Sequence, residues 1–272
     1  MKPGLYIVST PIGNLGDITL RALDILKKSD IIFCENTKHS MKLLKHFEIN
    51  NAILEKYTDH DFDKKHIKIK DAISSGKIIS LISDAGAPLI SDPGGRLIKF
   101  LFEEKLNIET IPGPSSIISA IQLSGFFNSH PIIFLGFLPK KEAQKVKALS
   151  NITNANLVFF TTSSQLNKDI QVIFNHDQDA KIVILNEITK KFEKRISLKK
   201  EEYEKISPIV LKGEFVVCAE LNLIKIEKDI TDDQVKKDIE KFGEKNLYEI
   251  YRSKYNIKRN DLYKKILKIK HK

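Results

Sequence analysis

Ser83-Asp84-Ala85-Gly86-Ala87-Pro88-Leu89-Ile90-Ser91-Asp92-Pro93-Gly94-Gly95 decides how this chain is read. The apolar run Ile78–Ile82 precedes it, and a helical pattern opens after it at Arg96-Leu97-Ile98-Lys99-Phe100-Leu101. A buried strand ending in a Gly/Pro loop leaves backbone donors and carbonyls free at its carboxyl end, where open α/β sheets bind ligands. Two further loops also follow apolar runs: Thr10-Pro11-Ile12-Gly13-Asn14-Leu15-Gly16-Asp17 and Pro112-Gly113-Pro114-Ser115-Ser116. Three stiff, glycine-bearing loops predict one small-molecule pocket built largely from main chain.

Working outward, Leu5–Val8, Ile31–Cys34, Ile78–Ile82 and Ile108–Ile111 are short uninterrupted apolar runs, the pattern of parallel strands buried on both faces. Amphipathic segments separate them. The first begins after Asp17, read as its N-cap, and closes at Lys27 and Lys28. Others hold Leu43, Leu44 and Phe47, then Ile67, Ile69 and Ile73 up to Gly76. This alternation predicts an α/β unit with a parallel or mostly parallel sheet. Beyond a small-residue helix at Ser115–Ser124, a second α/β unit has strands at Ile132–Leu135, Leu157–Phe160, Ile182–Leu185 and Phe215–Ala219, with helices at Lys140–Leu149 and Gln165–Phe174. The expected organisation is an N-terminal α/β domain over 1–118, a second over 119–225 with the pocket between them, and a basic helical tail over 226–272. The tail pattern holds Val235, Ile239, Phe242, Leu247, Ile250, Tyr251, Leu262, Ile266 and Leu267, with starts at Asn246 and Asn260 and turns at Gly243 and Asn256.

Composition narrows the class. The 272 residues are 42% hydrophobic and 29% charged, ordinary for a globular chain. No apolar run approaches the roughly 18–20 residues of a membrane span. Met1-Lys2-Pro3-Gly4 enters a strand at once, leaving no room for a signal peptide. Cys34 and Cys218 both lie in apolar runs, which predicts free buried thiols and a reducing cytoplasm, and neither has a partner at zinc spacing, so no metal is expected. The net charge is +10, and the 48 residues from Lys225 hold 15 Lys and Arg against 9 Asp and Glu. A lysine-rich composition accounts for that excess as well as an acidic partner does, nucleic acid foremost.

Neither a Gly-x-Gly-x-x-Gly helix opening nor a Gly-x-x-x-x-Gly-Lys-Ser/Thr loop occurs, which disfavours dinucleotide oxidoreductases and P-loop NTPases. Asp84 is either a ligand-facing carboxylate or the cap of its own turn, and Asp92, before Pro93, reads as a helix or turn cap. Glu35-Asn36-Thr37-Lys38-His39 ends the second strand with five polar residues. That is either substrate-handling chemistry, with His39 as acid or base, or a surface helix start. His60 has the weaker claim, and Thr161–Gln165 reads as an N-capped helix start.

Together the loops resemble one family. Thr10–Thr19, Ser83–Gly86 with Pro88–Gly94, Pro112–Ser115, Gly136–Pro139, Asn186–Glu193 and Lys212–Gly213–Glu214 recur in this order in the small-subunit ribosomal RNA methyltransferases of the tetrapyrrole methylase (class III) family. The resemblance runs over about residues 4–220. It implies two α/β domains with S-adenosylmethionine in the cleft between them, a homodimer, and methyl transfer to the ribose 2′-hydroxyl of a cytidine in 16S ribosomal RNA of the small ribosomal subunit. Carried over by position, it puts the cofactor against Asp84, Ala85, Gly86, Pro88, Leu89, Ile90, Ser115, Ser116, Phe160, Thr161, Glu187 and Ile188. Asp17, Glu35 and His39 are the expected bases, in that order, with Lys38 and Arg96 holding RNA phosphates. The chain departs from the family at Asn36 and Lys38, where Asp and Arg are usual, at Ala87 for Thr, and at Thr161–Gln165 for Tyr-Glu-Ser-Pro-His. A corrin or porphyrin methylase and a non-catalytic RNA-binding assembly factor are the alternatives.

Overall fold

The apolar runs become the centres of two sheets. The computed structural model describes residues 1–126, 130–223, 232–244, 247–248, 251 and 259–270. The first sheet holds β1 (Gly4–Val8), β2 (Ile31–Cys34), β3 (Ile53–Lys56), β4 (Ile78–Ile82) and β5 (Ile108–Ile111) in the order β3-β2-β4-β1-β5, every pairing parallel. Its crossovers run through α1 (Leu20–Lys28), α2 (Thr37–His46), α3 (Phe62–Ser74) and α4 (Gly95–Glu103). Alternate side chains serve opposite faces, as the strand period requires. Tyr6, Val8, Ile32 and Cys34 pack against Ala22, Leu26 and Leu44 of α1 and α2, while Leu5, Phe33, Ile79 and Leu81 pack against Ile69, Ile73, Leu97 and Leu101 of α3 and α4. Because β4, β1 and β5 are neighbours, the loops after them emerge side by side at one carboxyl edge.

Asp17 does not cap α1. It falls in a short 3-10 turn, Leu15–Asp17, capped by the Asn14 side chain, and the Thr19 hydroxyl accepts from the Ala22 amide to start the helix. Thr19 wins because it stands immediately before the first helical residue.

The second sheet holds β6 (Ile132–Phe137), β7 (Asn154–Thr162), β8 (Lys181–Asn186), β9 (Lys194–Leu198) and β10 (Glu214–Asn222) in the order β6-β7-β10-β8-β9. Only β6 and β7 pair parallel; the other three pairings are antiparallel. One face carries α6 (Glu142–Leu149), α7 (Leu166–His176) and α8 (Lys200–Ile206) over a core of Leu157, Phe159, Ile170, Ile173, Val217 and their neighbours. The other face receives α5 (Ser116–Ser124), whose Ala120, Ile117 and Ile121 meet Val158, Val183, Val216 and Cys218. Ile12, from the loop after β1, joins the same cluster and ties the sheets together. At that seam a Cβ on Gly13 would strike Lys190 Cγ at 2.5 Å, Thr189 Oγ1 at 2.7 Å and the Ile188 carbonyl at 2.9 Å, so the loop after β8 packs directly on the glycine.

Both cysteines are free and buried; burial pushes the Cys218 thiol up to about 12 and raises Cys34. In the tail, α9 (Asp232–Phe242) and α10 (Arg259–Lys270) close a small core of Val235, Leu247, Tyr251, Leu262 and Ile266, and the Tyr251 hydroxyl donates to Asp238 at 2.7 Å. Gly243 follows α9 with a φ of +74°, a turn glycine as expected. Asn260 lies one residue inside α10 instead of starting it, and Asn246, Ile250 and Asn256 lie outside the described residues. Among the described residues no helix is long and apolar enough to cross a membrane.

Candidate active site

The stitching of the three loops starts at residues with hydroxyls or no side chain. Thr10 and Gly86 exchange both backbone hydrogen bonds, at 2.9 and 3.0 Å, joining the loop after β1 to the loop after β4. The Thr10 hydroxyl donates to the Ser83 carbonyl at 3.2 Å, and the Ser83 hydroxyl reaches the Ala85 and Gly86 carbonyls at 3.2 and 3.1 Å. Gly86 has a φ of +78°, and Leu89 and Ser91, which are not glycines, have +74° and +69°. Glu187 and Thr189 on the facing loop have +56° and +66°. In the four that are not glycine such conformations cost about 1–3 kcal/mol each and persist where the surroundings over-determine them, typically at binding sites.

Between the sheets these loops enclose a cavity of about 550 Å³, within the size range of small-molecule sites. Ile12, Ile90, Phe137, Phe160 and Ile188 give it apolar walls; Ser115, Ser116 and Thr162–Ser164 supply hydroxyls. Ser115 precedes α5 without spending its side chain on the helix cap. A second cavity of about 490 Å³ adjoins the first, sharing Ile12, Ala85 and Glu214. Its lining includes the ionisable side chains of His39, Lys42, Lys190, Asp84 and Glu214. Lys190 bridges Glu187 at 3.0 Å and Glu214 at 2.8 Å.

Of the residues singled out in the sequence, Ala85, Gly86, Ile90, Ser115, Ser116, Phe160, Thr161 and Ile188 stand together on the first cavity. Asp84 faces the second and accepts from the Asn36 amide at 3.3 Å. Pro88 and Leu89 shape the loop from behind, Leu89 packing into the α3–α4 core. The Glu187 carboxylate turns back onto the Glu214 amide, at 2.8 Å, which with Lys190 holds it below the usual carboxylate range. Asn36 caps α2 by accepting from the Lys38 and His39 amides, so the polar run after β2 is a helix start that also presents His39 to the second cavity. Lys38 and Asp17 are exposed and line neither cavity. Arg96 pairs with Asp63 at 3.1 Å and lies over the Phe62 ring at 4.3 Å.

The residue that sequence reasoning placed elsewhere is Asp92. It caps no helix, since Gly94 occupies the cap position of α4, and it lines the first cavity instead. Burial, then the neighbouring Glu35 and Asp84 carboxylates, raise it to about 6 against the opposing Ser83 hydroxyl. Phe137, Gly213 and Glu214 also line the cavity; they belong to motifs visible in the sequence whose contact with the site was not.

A carboxyl whose folded pKa is raised holds its proton more tightly folded than unfolded. Its stabilising contribution is therefore complete below the unfolded value near 3.8 and is lost as pH rises through about 6. Above that, ionised Asp92 is a net cost. Asp92→Asn is expected to be more stable than wild type at pH 7.5 by about 1 kcal/mol, after discounting for solvent screening. The gain should shrink as pH falls through about 6 and vanish only below about 3.8. Thermal melts of both proteins across that range check it, and a gain that grows on acidification would contradict it.

Residues 4–203 match the family described as Tetrapyrrole (Corrin/Porphyrin) Methylases. The ribosomal RNA small subunit methyltransferase I of Rickettsia prowazekii is 42% identical over 226 residues, 82% of this chain and 80% of that protein. The protein of the same name from Mesomycoplasma conjunctivae is 40% identical over 196 residues, 71% of this chain and 82% of its own. Among solved structures, uroporphyrin-III C-methyl transferase from Thermus thermophilus complexed with S-adenosylhomocysteine shares the fold at a TM-score of 0.53 and 15% identity, over 79% of this chain and 96% of that one.

Proposed function

The chain belongs to the ribosomal RNA small subunit methyltransferase I family, of tetrapyrrole methylase type, and from that premise we propose that it methylates the ribose 2′-hydroxyl of a cytidine in 16S ribosomal RNA with S-adenosylmethionine as donor. The observation carrying the reading is the pair of adjoining cavities, one apolar with hydroxyls, the other charged, sharing a wall at Ile12, Ala85 and Glu214. The first suits the cofactor. Phe160 and Ile12 offer apolar surface for a purine, Ser115 and Ser116 hydroxyls for the amino-acid end, and the Asp92 carboxylate for positive charge. When bound, S-adenosylmethionine supplies a methyl group activated by a sulfonium centre.

The second cavity suits the acceptor nucleotide. Lys42 and Lys190 would hold phosphate oxygens, with Lys38 and Arg96 extending the contact outward; such contacts position nucleic acid without reading sequence. His39 faces this cavity and takes the hydroxyl proton, ahead of Glu35 and Asp17, which stand outside its walls. Asp84 orients the ribose. Holding the reacting atoms in line contributes about 7–11 kcal/mol to such a step. The protein acts as a homodimer, with the basic tail from residue 226 docking the RNA or the small subunit.

The test is transfer of labelled methyl to small subunits lacking the modification, with free RNA and a tetrapyrrole as controls. His39→Ala should lower turnover at saturating cofactor by about 10²–10⁴-fold, the usual worth of a general base. Label on the tetrapyrrole, or cofactor binding without any transfer, overturns the reading in favour of a corrin methylase or a binding factor.

A further inference from the structure

A buried ion pair lies directly behind the wall of the first cavity. Lys145 of α6 and Asp169 of α7 each have side chains 2% exposed, and Lys145 Nζ donates to Asp169 Oδ1. The other carboxylate oxygen, Oδ2, accepts from the Thr161 hydroxyl, and Nζ also donates to Gln165 Oε1 at 3.1 Å. Thr161 and Gln165 are the two ends of the turn that presents Thr162, Ser163 and Ser164 to the cavity. The turn itself is closed by the Gln165 amide donating to the Thr162 carbonyl at 2.9 Å, with the Thr162 and Ser164 hydroxyls 3.1 Å apart.

We propose that the Lys145–Asp169 pair is the positioning device for the cofactor wall, clamping the Thr161–Gln165 turn at both ends and setting cofactor affinity without touching the cofactor. This rests on the reading of the first cavity as the S-adenosylmethionine site. A buried pair seldom adds net stability over well-packed apolar residues, and the use open to it is to fix one geometry. That use fits here, because the turn holds small polar residues with no apolar anchor of their own: Thr162, Ser163 and Ser164 are all exposed. The Thr161 side chain is itself part of the clamp, its buried hydroxyl donating to Asp169.

The test is calorimetric titration of S-adenosylhomocysteine into wild type, Thr161→Val, Gln165→Ala and Asp169→Asn, each also melted and assayed for RNA binding. Thr161→Val and Gln165→Ala each release one end of the turn while leaving the ion pair in place, so both fold. Each is expected to weaken cofactor binding about tenfold while leaving RNA affinity unchanged. Asp169→Asn leaves one acceptor oxygen where Lys145 and Thr161 each had one, so it too should weaken binding, and adding Thr161→Val to it should cost less than Thr161→Val costs the wild type. Unchanged affinity in both single-end variants, with a lowered melting temperature alone, would make the pair a plain structural contact and overturn the inference. Wild type that does not bind S-adenosylhomocysteine would instead overturn the reading of the cavity, and this inference with it.

Discussion

Lys145→Met is expected to lower the unfolding free energy by about 3–5 kcal/mol, the usual consequence of leaving one member of a buried ion pair alone. Without the ammonium, Asp169 keeps, among the described residues, only the Thr161 hydroxyl as partner for a carboxylate that solvent does not reach. At about 2–4 °C per kcal/mol for a chain of this size, the melting midpoint should fall by roughly 10 °C. Lys145→Met combined with Asp169→Leu should recover most of that loss, because apolar residues of similar volume replace buried pairs with little penalty. The double variant still lacks the acceptor for Thr161, so its cofactor affinity should stay low although its stability returns. Melts and titrations on both variants check the two halves. A single variant melting within a degree of wild type would mean that water reaches Asp169.

Such a lysine is invisible in the sequence. Glu142–Leu149 carries Lys145 among other polar residues of an amphipathic helix, and only the approach of α7 distinguishes it from its exposed neighbour Lys147. The same limit explains Asp92. An Asp before Pro reads locally as a cap, whereas its raised pKa comes from burial and from Glu35 and Asp84, delivered by other loops. What the sequence does show are features that one segment determines alone. Ile78–Ile82 had to be a strand buried on both faces, and the loop after it had to turn without regular hydrogen bonding. The strands missing from the sequence reading, Ile53–Lys56 and Lys194–Leu198, are both sheet edges. Their residues are mostly exposed or half-buried, so no apolar run marks them. Strand direction was equally unreadable: β7, β8 and β10 are as apolar as the parallel strands of the first sheet, yet β10 runs antiparallel to both its neighbours.

Gly86→Val is expected to weaken S-adenosylhomocysteine binding by at least a hundredfold, about 2.7 kcal/mol, with the fold retained. Three consequences converge on that position. A β-branched residue is strained at a φ of +78°, where the left-handed conformation costs L-residues roughly 1–2 kcal/mol or more. Its Cβ would stand 3.1 Å from Ile12 Cγ2, pushing on the side chain that joins the loop after β1 to the second sheet. Its methyl groups would also occupy part of the cavity that Gly86 lines. Relief of the strain would have to come from the Thr10–Gly86 bridge, so the loops after β1 and β4 would shift together. Gly86→Ala, with the strain and the Cβ but no branches, should fall between Val and wild type. Gly95→Ala is the control, since a Cβ there meets nothing within 4 Å and its φ is unexceptional. Titration alongside circular dichroism separates lost binding from lost fold. Wild-type affinity in Gly86→Val would place the ligand away from this loop, and the three-loop pocket would then have to serve something other than the methyl donor.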